Sequence, residues 1–203
     1  MESQTAQRYT RIAKLYDLFQ WPLEIFHLSR LRREVIARAE GKILEVGIGT
    51  GKNLSYYQLS ADLSGIDFSS GMLNVARTKA AQLGLYNTTL IEMDIEAMNF
   101  PDNTFDTIIS TFVFCTVPDP DKGLRELYRV LKPGGKAIFL EHMKSNSKWL
   151  NALLWLMEKV TTPLLGTSML RETQKGIEKA GFRVFISQNK AFDILRLIVA
   201  TKS

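Results

Sequence analysis

The segment Lys42-Ile-Leu-Glu-Val-Gly-Ile-Gly-Thr-Gly-Lys-Asn53 runs an apolar, strand-like stretch directly into three glycines at alternate positions, Gly47, Gly49 and Gly51. A chain that leaves a buried strand in this way turns over the end of a sheet where side chains have no room. Glycine allows positive φ and lets another molecule touch bare backbone. A helix start just beyond adds unbonded N–H groups and the positive end of a dipole. The spacing is G-x-G-x-G with Glu45 two positions ahead of it, unlike the G-x-G-x-x-G of dinucleotide-binding domains or the G-x-x-x-x-G-K-[ST] of P-loops. Asn53 follows Lys52 where a P-loop would bring a hydroxyl to magnesium, which argues against nucleotide hydrolysis.

Beyond residue 42 short β-branched runs alternate with helical stretches, the pattern of a mostly parallel, doubly wound α/β sheet. Strands are expected at Lys42–Val46, Asp62–Ile66, Thr107–Thr111 and Lys136–Leu140, with a weaker one at Thr89–Met93. Helices are expected at Gly51–Tyr57, Ser70–Leu83 and Lys122–Leu131, the last stopped by Lys132-Pro-Gly-Gly135 as it turns into the next strand. A further helix, Arg171–Ala180, ends at Gly181, and Arg183–Gln188 with Leu195–Thr201 form an antiparallel hairpin at the sheet edge. In the first 41 residues Ile12, Leu15, Tyr16 and Phe19 share one face of a basic amphipathic helix that Trp21-Pro22 interrupts. The expected layout of 1–203 is therefore one domain: an N-terminal helical cap (1–41), a ligand-binding core (42–141), and a lid with the C-terminal hairpin (142–203).

Charge is distributed unevenly. Residues 42–141 carry 9 Lys/Arg against 12 Asp/Glu, while residues 1–41 carry 7 against 5 and residues 142–203 carry 10 against 4. Two basic flanks around an acidic middle suit an anionic ligand or an anionic membrane surface, and equally suit mere solubility. The basic residues are not interleaved with aromatics as in nucleic-acid modules, so no nucleic-acid partner is expected. A single cysteine, Cys115, and an opening without a charged-then-apolar leader suggest the cytoplasm, with peripheral contact at the inner membrane face as the alternative to a wholly soluble life. The longest apolar run, Trp149–Met157, is nine residues and includes Asn151, against about 20 needed to span a bilayer. No group of residues has metal-ligand spacing, and no metal is expected.

Asp67 lies 20 residues after Gly47 at the expected end of the second strand, where a carboxylate accepts both hydroxyls of a ribose or, alternatively, caps the next helix at Ser69-Ser70. Asp94 can accept from the exocyclic amine of a purine, with Met72, Met93 and Ile95 as apolar neighbours of the ring, or can be a solvated loop acid. Glycine loop and Asp67 together read as an adenosine cradle, which a nicotinamide dinucleotide would also fit.

With these residues in place the chain resembles the class I S-adenosylmethionine-dependent methyltransferases of the ubiquinone/menaquinone-methyltransferase-like group. The resemblance rests on Tyr9…Tyr16-Asp17, Glu45-Val-Gly47-Ile-Gly49-Thr-Gly51, Gly65-Ile-Asp67-Phe-Ser69, Asp94, Phe100-Pro-Asp-Asn-Thr-Phe105-Asp106 and Glu126-Leu-Tyr-Arg129-Val-Leu-Lys-Pro133-Gly-Gly135. It implies a Rossmann-like methyltransferase fold with S-adenosyl-L-methionine as cofactor. Glu45, Gly47, Gly49 and Gly51 would shape the methionine and ribose end, Asp67 would hold the ribose, and Met72, Asp94 and Ile95 would surround adenine. Locally, the glycine-loop stretch to Tyr57, Phe114-Cys-Thr-Val-Pro118 and Glu141-His142 are most similar to bacterial phospholipid N-methyltransferases and membrane-associated thiol methyltransferases. The expected acceptor is a lipid headgroup amine such as phosphatidylethanolamine, with a quinone carbon or a small thiol as alternatives.

Methyl transfer is an in-line displacement, so the protein chiefly supplies position and, for a protonated nucleophile, a base. His142, at the end of a strand with an ordinary pKa near 6.5, is the candidate base or a buried structural histidine. Tyr16 would border the methyl group. Tyr9, Lys144 and Arg171 are candidate acceptor contacts, the two cations (or Lys148 in place of Lys144) pairing with a phosphate. The stretch Trp149–Leu165 reads as a substrate lid, a membrane-facing patch or part of the core.

Overall fold

A computed structural model describes residues 28–165, 168, 170–191 and 194–203. After helix α1 (Ser29–Ile36) come β1 (Lys42–Val46), β2 (Asp62–Asp67), α2 (Ser70–Leu83), β3 (Thr88–Glu92), β4 (Phe105–Thr111), α3 (Pro120–Val130) and β5 (Leu131–His142). Helices α4 (Lys148–Leu165) and α5 (Thr173–Lys179) and strands β6 (Arg183–Ala191) and β7 (Leu195–Thr201) complete the order. The strands form one seven-stranded sheet in the order β3-β2-β1-β4-β5-β7-β6. β1 pairs in parallel with β2 and β4, β2 with β3 and β4 with β5; β7 runs antiparallel to both β5 and β6. The fold is the Rossmann-like doubly wound sheet with a C-terminal antiparallel hairpin. The hairpin does not simply extend the edge: β7 inserts beside β5 and leaves β6 outermost.

The central strands are buried on both faces. Leu44, Val46, Ile108, Ala137 and Phe139 face one core, with Leu124, Leu127, Val130 and Phe182; Ile43, Ile109, Ile138 and Leu140 face the other, with Val35, Ile36, Leu73 and Ala76. Parallel strands need this double cover, which is why they read as continuous apolar runs. Helix starts follow local chemistry: the Ser69 hydroxyl accepts from the Met72 N–H to open α2, and Asp119 accepts from Lys122 N–H with Pro120 next to it to open α3. The Arg129 guanidinium donates to the carbonyls of Met98 and Phe100 and to Asp102 and Glu126, so it pins the approach to β4 onto α3.

Several boundaries differ from expectation. The expected helix Gly51–Tyr57 is only a three-residue 3-10 turn, Leu54–Tyr56, because Asn53 and Tyr57 are drawn towards Glu45. Lys132–Gly135 lies inside β5 as an irregularity, the pairing shifting between Phe105↔Leu131 and Thr107↔Lys136. Helix α5 is shorter than Arg171–Ala180, since Arg171 is tied instead to the Val117 carbonyl. The expected N-terminal helix with Ile12, Leu15 and Phe19 lies outside the described residues.

Phe139 shows how much of the stability rests on the middle of the sheet. It is fully buried, with ring centroids of Phe114 and Phe182 at 6.0 and 6.2 Å. Phe139→Ala is expected to cost about 3–5 kcal/mol in urea unfolding, whereas Tyr86→Ala at an exposed turn should cost less than about 0.5 kcal/mol.

Candidate active site

Strand order reverses between β1 and β4, and in open α/β sheets ligands bind in the crevice beyond the carboxyl ends at such a switch. There the chain leaves β1 through Gly47, Gly49 and Gly51 at φ 58°, 57° and 75°. Two of these glycines have different neighbours. A Cβ on Gly47 would lie 2.6 Å from Val113 Cγ2, whereas a Cβ on Gly49 would meet nothing closer than the Gly47 carbonyl at 4.0 Å. Gly47 is thus bare because protein packs against it. Gly49 is bare facing open space, where a ligand can lie on the backbone.

Asp67 ends β2 and is nearly buried. Its Oδ2 accepts from the Gly49 N–H and its Oδ1 from the Ser69 N–H, both at 2.9 Å, so one carboxylate joins the glycine loop to the start of α2. Of the two expectations for Asp67, the cap falls to the Ser69 hydroxyl, which accepts from the Met72 N–H, while Asp67 tethers the chain ahead of α2; a ribose hydroxyl would use the acceptor capacity left beyond these N–H groups and that of Phe68, a carboxylate having about four acceptor positions. Burial raises its pKa to about 6, opposed by those N–H groups. Met72 is buried against Phe68 and Val75 just beyond. Asp94 is exposed and accepts from the Glu96 N–H at 2.8 Å, and Ile95 is in the core beside Phe114 and Gly123.

Glu45 lies inside a polar network. Its Oε1 accepts from Asn53 Nδ2 and its Oε2 from the Tyr57 hydroxyl, each at 2.8 Å. Arg32 Nη1 donates to Asn53 Oδ1 and to Thr111 Oγ1 at 3.1 Å, and its guanidinium lies 5.2 Å from the Phe112 ring centroid. Burial lifts the Glu45 pKa to about 7, opposed by Tyr57, Asn53 and the more distant Arg32 charge. Arg32, Asn53, Tyr57 and Thr111 were not singled out as site residues from sequence. Arg32 carried a signal, since it shares the apolar face of α1 with Val35 and Ile36 at helical spacing.

Phe112 follows β4 at φ 60°, a strained conformation for a bulky residue and one that over-determined sites retain. Its ring centroid lies 4.9 Å from that of His142. His142 ends β5, half-buried, and burial depresses its pKa to about 4 rather than leaving it near 6.5. Neighbouring Glu141 is fully buried. Its Oε1 accepts from Ser110 Oγ at 2.7 Å and from the Val113 N–H at 3.1 Å, while Oε2 has no partner among the described residues. Burial raises its pKa to about 7. The Cys115 thiol is pushed up to about 12 by burial and by Glu141, too high for a thiolate at neutral pH.

The Lys144 backbone N–H donates to the Arg171 carbonyl, which joins the two main chains, while the Arg171 guanidinium donates to the Val117 carbonyl. Tyr9 and Tyr16 lie outside the described residues. A separate cavity of about 340 Å³, lined by Glu40, Tyr56, Gln58 and Asp62 among others, opens near the amino ends of β1 and β2, away from these groups.

The cradle above Gly49 and the free acceptor capacity of Asp67 fit an adenosine ribose and the adjoining methionine part of S-adenosylmethionine. By calorimetry with S-adenosylhomocysteine, Asp67→Ala should weaken binding about a hundredfold, as expected for loss of two hydrogen bonds to a charged acceptor. Gly49→Ala should weaken binding with a smaller loss of melting temperature than Gly47→Ala; tight binding by Gly49→Ala would contradict the cradle.

The buried acids make stability pH-dependent in a definite sense. Glu45, Asp67 and Glu141 have folded pKa values of about 7, 6 and 7, above the values of about 4 in an unfolded chain, so their contribution is full below about pH 4 and is lost as pH rises through about 7. His142, depressed to about 4, acts only below its unfolded value of about 6.5, where stability is lost as pH falls. Between pH 6.5 and 8 only the acids operate. Melting temperature should therefore fall across that interval, with a shallower slope in Glu45→Gln; a flat or rising profile would contradict the assignment.

Comparison with known proteins agrees with this geometry. A family model described as a methyltransferase domain matches residues 44–139. The chain is 36% identical over 143 residues to the phosphatidylethanolamine N-methyltransferase of Cereibacter sphaeroides, covering 70% of each protein. It is 38% identical over 152 residues to a ubiquinone/menaquinone biosynthesis C-methyltransferase of Pseudoalteromonas translucida, covering 70% of this chain but 60% of that one. Among solved structures, a SAM-dependent methyltransferase from Aquifex aeolicus superimposes with a TM-score of 0.71 at 26% identity, over 96% of this chain and 98% of that one. With a glycine loop, a buried aspartate at the end of β2 and this sheet order in one chain, the protein belongs to the S-adenosylmethionine-dependent methyltransferases.

Proposed function

We propose that the methyl acceptor is the amine of a phospholipid headgroup, phosphatidylethanolamine in the first instance. The observation that carries this reading is the hydrogen bond from the Lys144 backbone N–H to the Arg171 carbonyl, which holds the chain just beyond His142 against the strap after α4 and so keeps two cationic residues on adjoining segments. A headgroup with a phosphate close to its amine suits this neighbourhood, since Lys and Arg are the usual phosphate contacts: Lys144 is exposed, and Arg171 gives one of its five N–H donors to the Val117 carbonyl. The similarity to a phosphatidylethanolamine N-methyltransferase supports the same acceptor. A quinol-carbon acceptor is the second reading, favoured by the similarity to a ubiquinone/menaquinone C-methyltransferase. That acceptor brings no phosphate to Lys144 and Arg171.

The cofactor supplies an electrophilic methyl on a sulfonium, with a neutral leaving group. What remains for the protein is alignment and desolvation of the nucleophile. An ammonium has no lone pair, so the amine gives its proton to bulk water before it binds, and the neutral amine then takes the methyl as the carbon–sulfur bond breaks and the thioether leaves. His142 is neutral at physiological pH and accepts a hydrogen bond from the amine N–H. With a pKa of about 4 it is too weak a base to carry that proton away. Its part is to aim the lone pair, with Phe112 as the apolar wall that keeps water from the line of attack.

The test incubates full-length protein and labelled S-adenosylmethionine with phosphatidylethanolamine vesicles, a demethylmenaquinol analogue or a small alkyl thiol. Label is expected in the lipid. His142→Gln should lower kcat/KM about 10–100-fold while S-adenosylhomocysteine affinity is unchanged. The wild-type rate should climb between pH 7 and 9 with no inflection near 6.5. Label only in the quinol or the thiol would overturn the acceptor, and an inflection near 6.5 that vanishes in His142→Gln would make His142 the base after all.

A further inference from the structure

Helix α4 carries its polarity inside out. On its inner side Asn151 Oδ1 accepts from the Ser145 N–H and Nδ2 donates to the Ser145 carbonyl. One turn on, Leu154 is 3% exposed. Beyond it Glu158 Oε1 accepts from the Ser168 hydroxyl and the Leu170 N–H. The outer side holds Trp149, Trp155 and Leu156 at 84%, 52% and 58% exposure, with exposed Ala152 between them. A helix packed on its own domain and washed by water shows the reverse order. Single exposed apolar residues need no explanation, but two tryptophans and a leucine on one face are a patch.

The exposed charges of α4 itself have one sign, while Lys144, just ahead of it, lies near the exposed Glu172. Lys144, Lys148 and Lys159 are exposed, and the Lys159 ammonium lies 3.9 Å from the Trp155 ring centroid. Between residues 142 and 171 the sequence has four Lys/Arg, and its one carboxylate, Glu158, is the one turned inward. Tryptophan rings settle at the headgroup level of bilayers, lysines beside them are drawn to anionic lipid, and an apolar helix face enters to the acyl boundary. No described helix is long and apolar enough to cross a membrane, so such a contact would lie flat on the surface.

We propose that the outer face of α4 docks on the surface of an anionic lipid bilayer. The surface follows from α4 itself. Its use for delivering substrate rests on the phospholipid reading above: Ser168 N–H donates to the Cys115 carbonyl and Arg171 Nη1 to the Val117 carbonyl, so the strap after α4 is tied to the loop after β4, beside the proposed acceptor position.

Flotation of the full chain with phosphatidylcholine vesicles, with or without a quarter phosphatidylglycerol, tests the surface directly. Binding is expected to the anionic vesicles at low salt and to weaken with salt. Trp149→Ala/Trp155→Ala should lose at least tenfold in affinity. Lys148→Glu/Lys159→Glu should lose more than tenfold on anionic vesicles, at roughly fivefold per lysine, with melting temperatures near wild type. Fluorescence quenching by lipids brominated near the headgroup should be largely lost in Trp149→Phe/Trp155→Phe, which leaves Trp21 as the only tryptophan. Absence of wild-type binding would overturn the proposal, as would variants that bind normally, or a wild-type dimer that the tryptophan variant dissolves without any vesicle binding. A second arm separates the two readings: the tryptophan variant should lose methylation of vesicle phosphatidylethanolamine but keep it on a dispersed short-chain form. Vesicle binding with neither form methylated would sink the acceptor and leave the surface standing.

Discussion

Parallel strands buried on both faces leave the middle of this sheet no place for a charged side chain, so its buried acids gather at the carboxyl ends, where the chain turns out of the core. Glu45, Asp67, Thr111 and Glu141 all stand at or beside such an end, and all are buried. A buried carboxylate is costly unless it is hydrogen-bonded. Each therefore recruits backbone N–H groups or side chains from loops distant in sequence, and the loops take their shape from these bonds. Asp67 joins the glycine loop to the start of α2, Glu45 holds the turn after it, and Glu141 holds the chain after β4 through the Val113 N–H.

The same constraint explains why the site is preorganised. One of the N–H groups that fix Asp67, that of Gly49, belongs to the loop on which a ligand would rest, and the other, that of Ser69, to the start of α2, so the carboxylate is aimed before any ligand arrives. Arg32 ties α1 to Asn53 and to the end of β4, and its guanidinium lies by the ring of Phe112. One network thus spans the glycine loop and the strained residue next to His142. The turn after the glycine loop and the end of β4 are parts of the same hydrogen-bonded frame, and a change in one should be felt in the other.

Much of this was legible in sequence because it rests on local pattern. β-branched runs of strand length, the three alternate glycines and an aspartate 20 residues on depend on period and spacing alone. The 3-10 turn at Leu54–Tyr56 was read as a helix because its hydrogen bonds to Glu45 come from outside any local window. The Arg32 contact to Thr111 joins residues 79 apart. The depressed pKa of His142 depends on burial that only the folded sheet, with Phe112 and β7 alongside, provides. Helix α4 left three alternatives open from sequence, since tryptophan and leucine at helical spacing serve a core or a surface equally well. Which face Asn151 and Glu158 turn inward is decided by Ser145, Ser168 and Leu170, which no periodicity reveals.

The central claim is that the glycine loop and Asp67 form one cradle at the carboxyl end of the sheet, with the acceptor arriving past Phe112 and His142. A crystal structure of the full chain with S-adenosylhomocysteine tests it most directly. The account predicts both ribose hydroxyls on the Asp67 carboxylate, the ligand backbone in van der Waals contact with Gly49, and the sulfur directed towards the Phe112–His142 pair. A ligand whose ribose lies away from Asp67, or whose sulfur points to the opposite side of the sheet from His142, would contradict it.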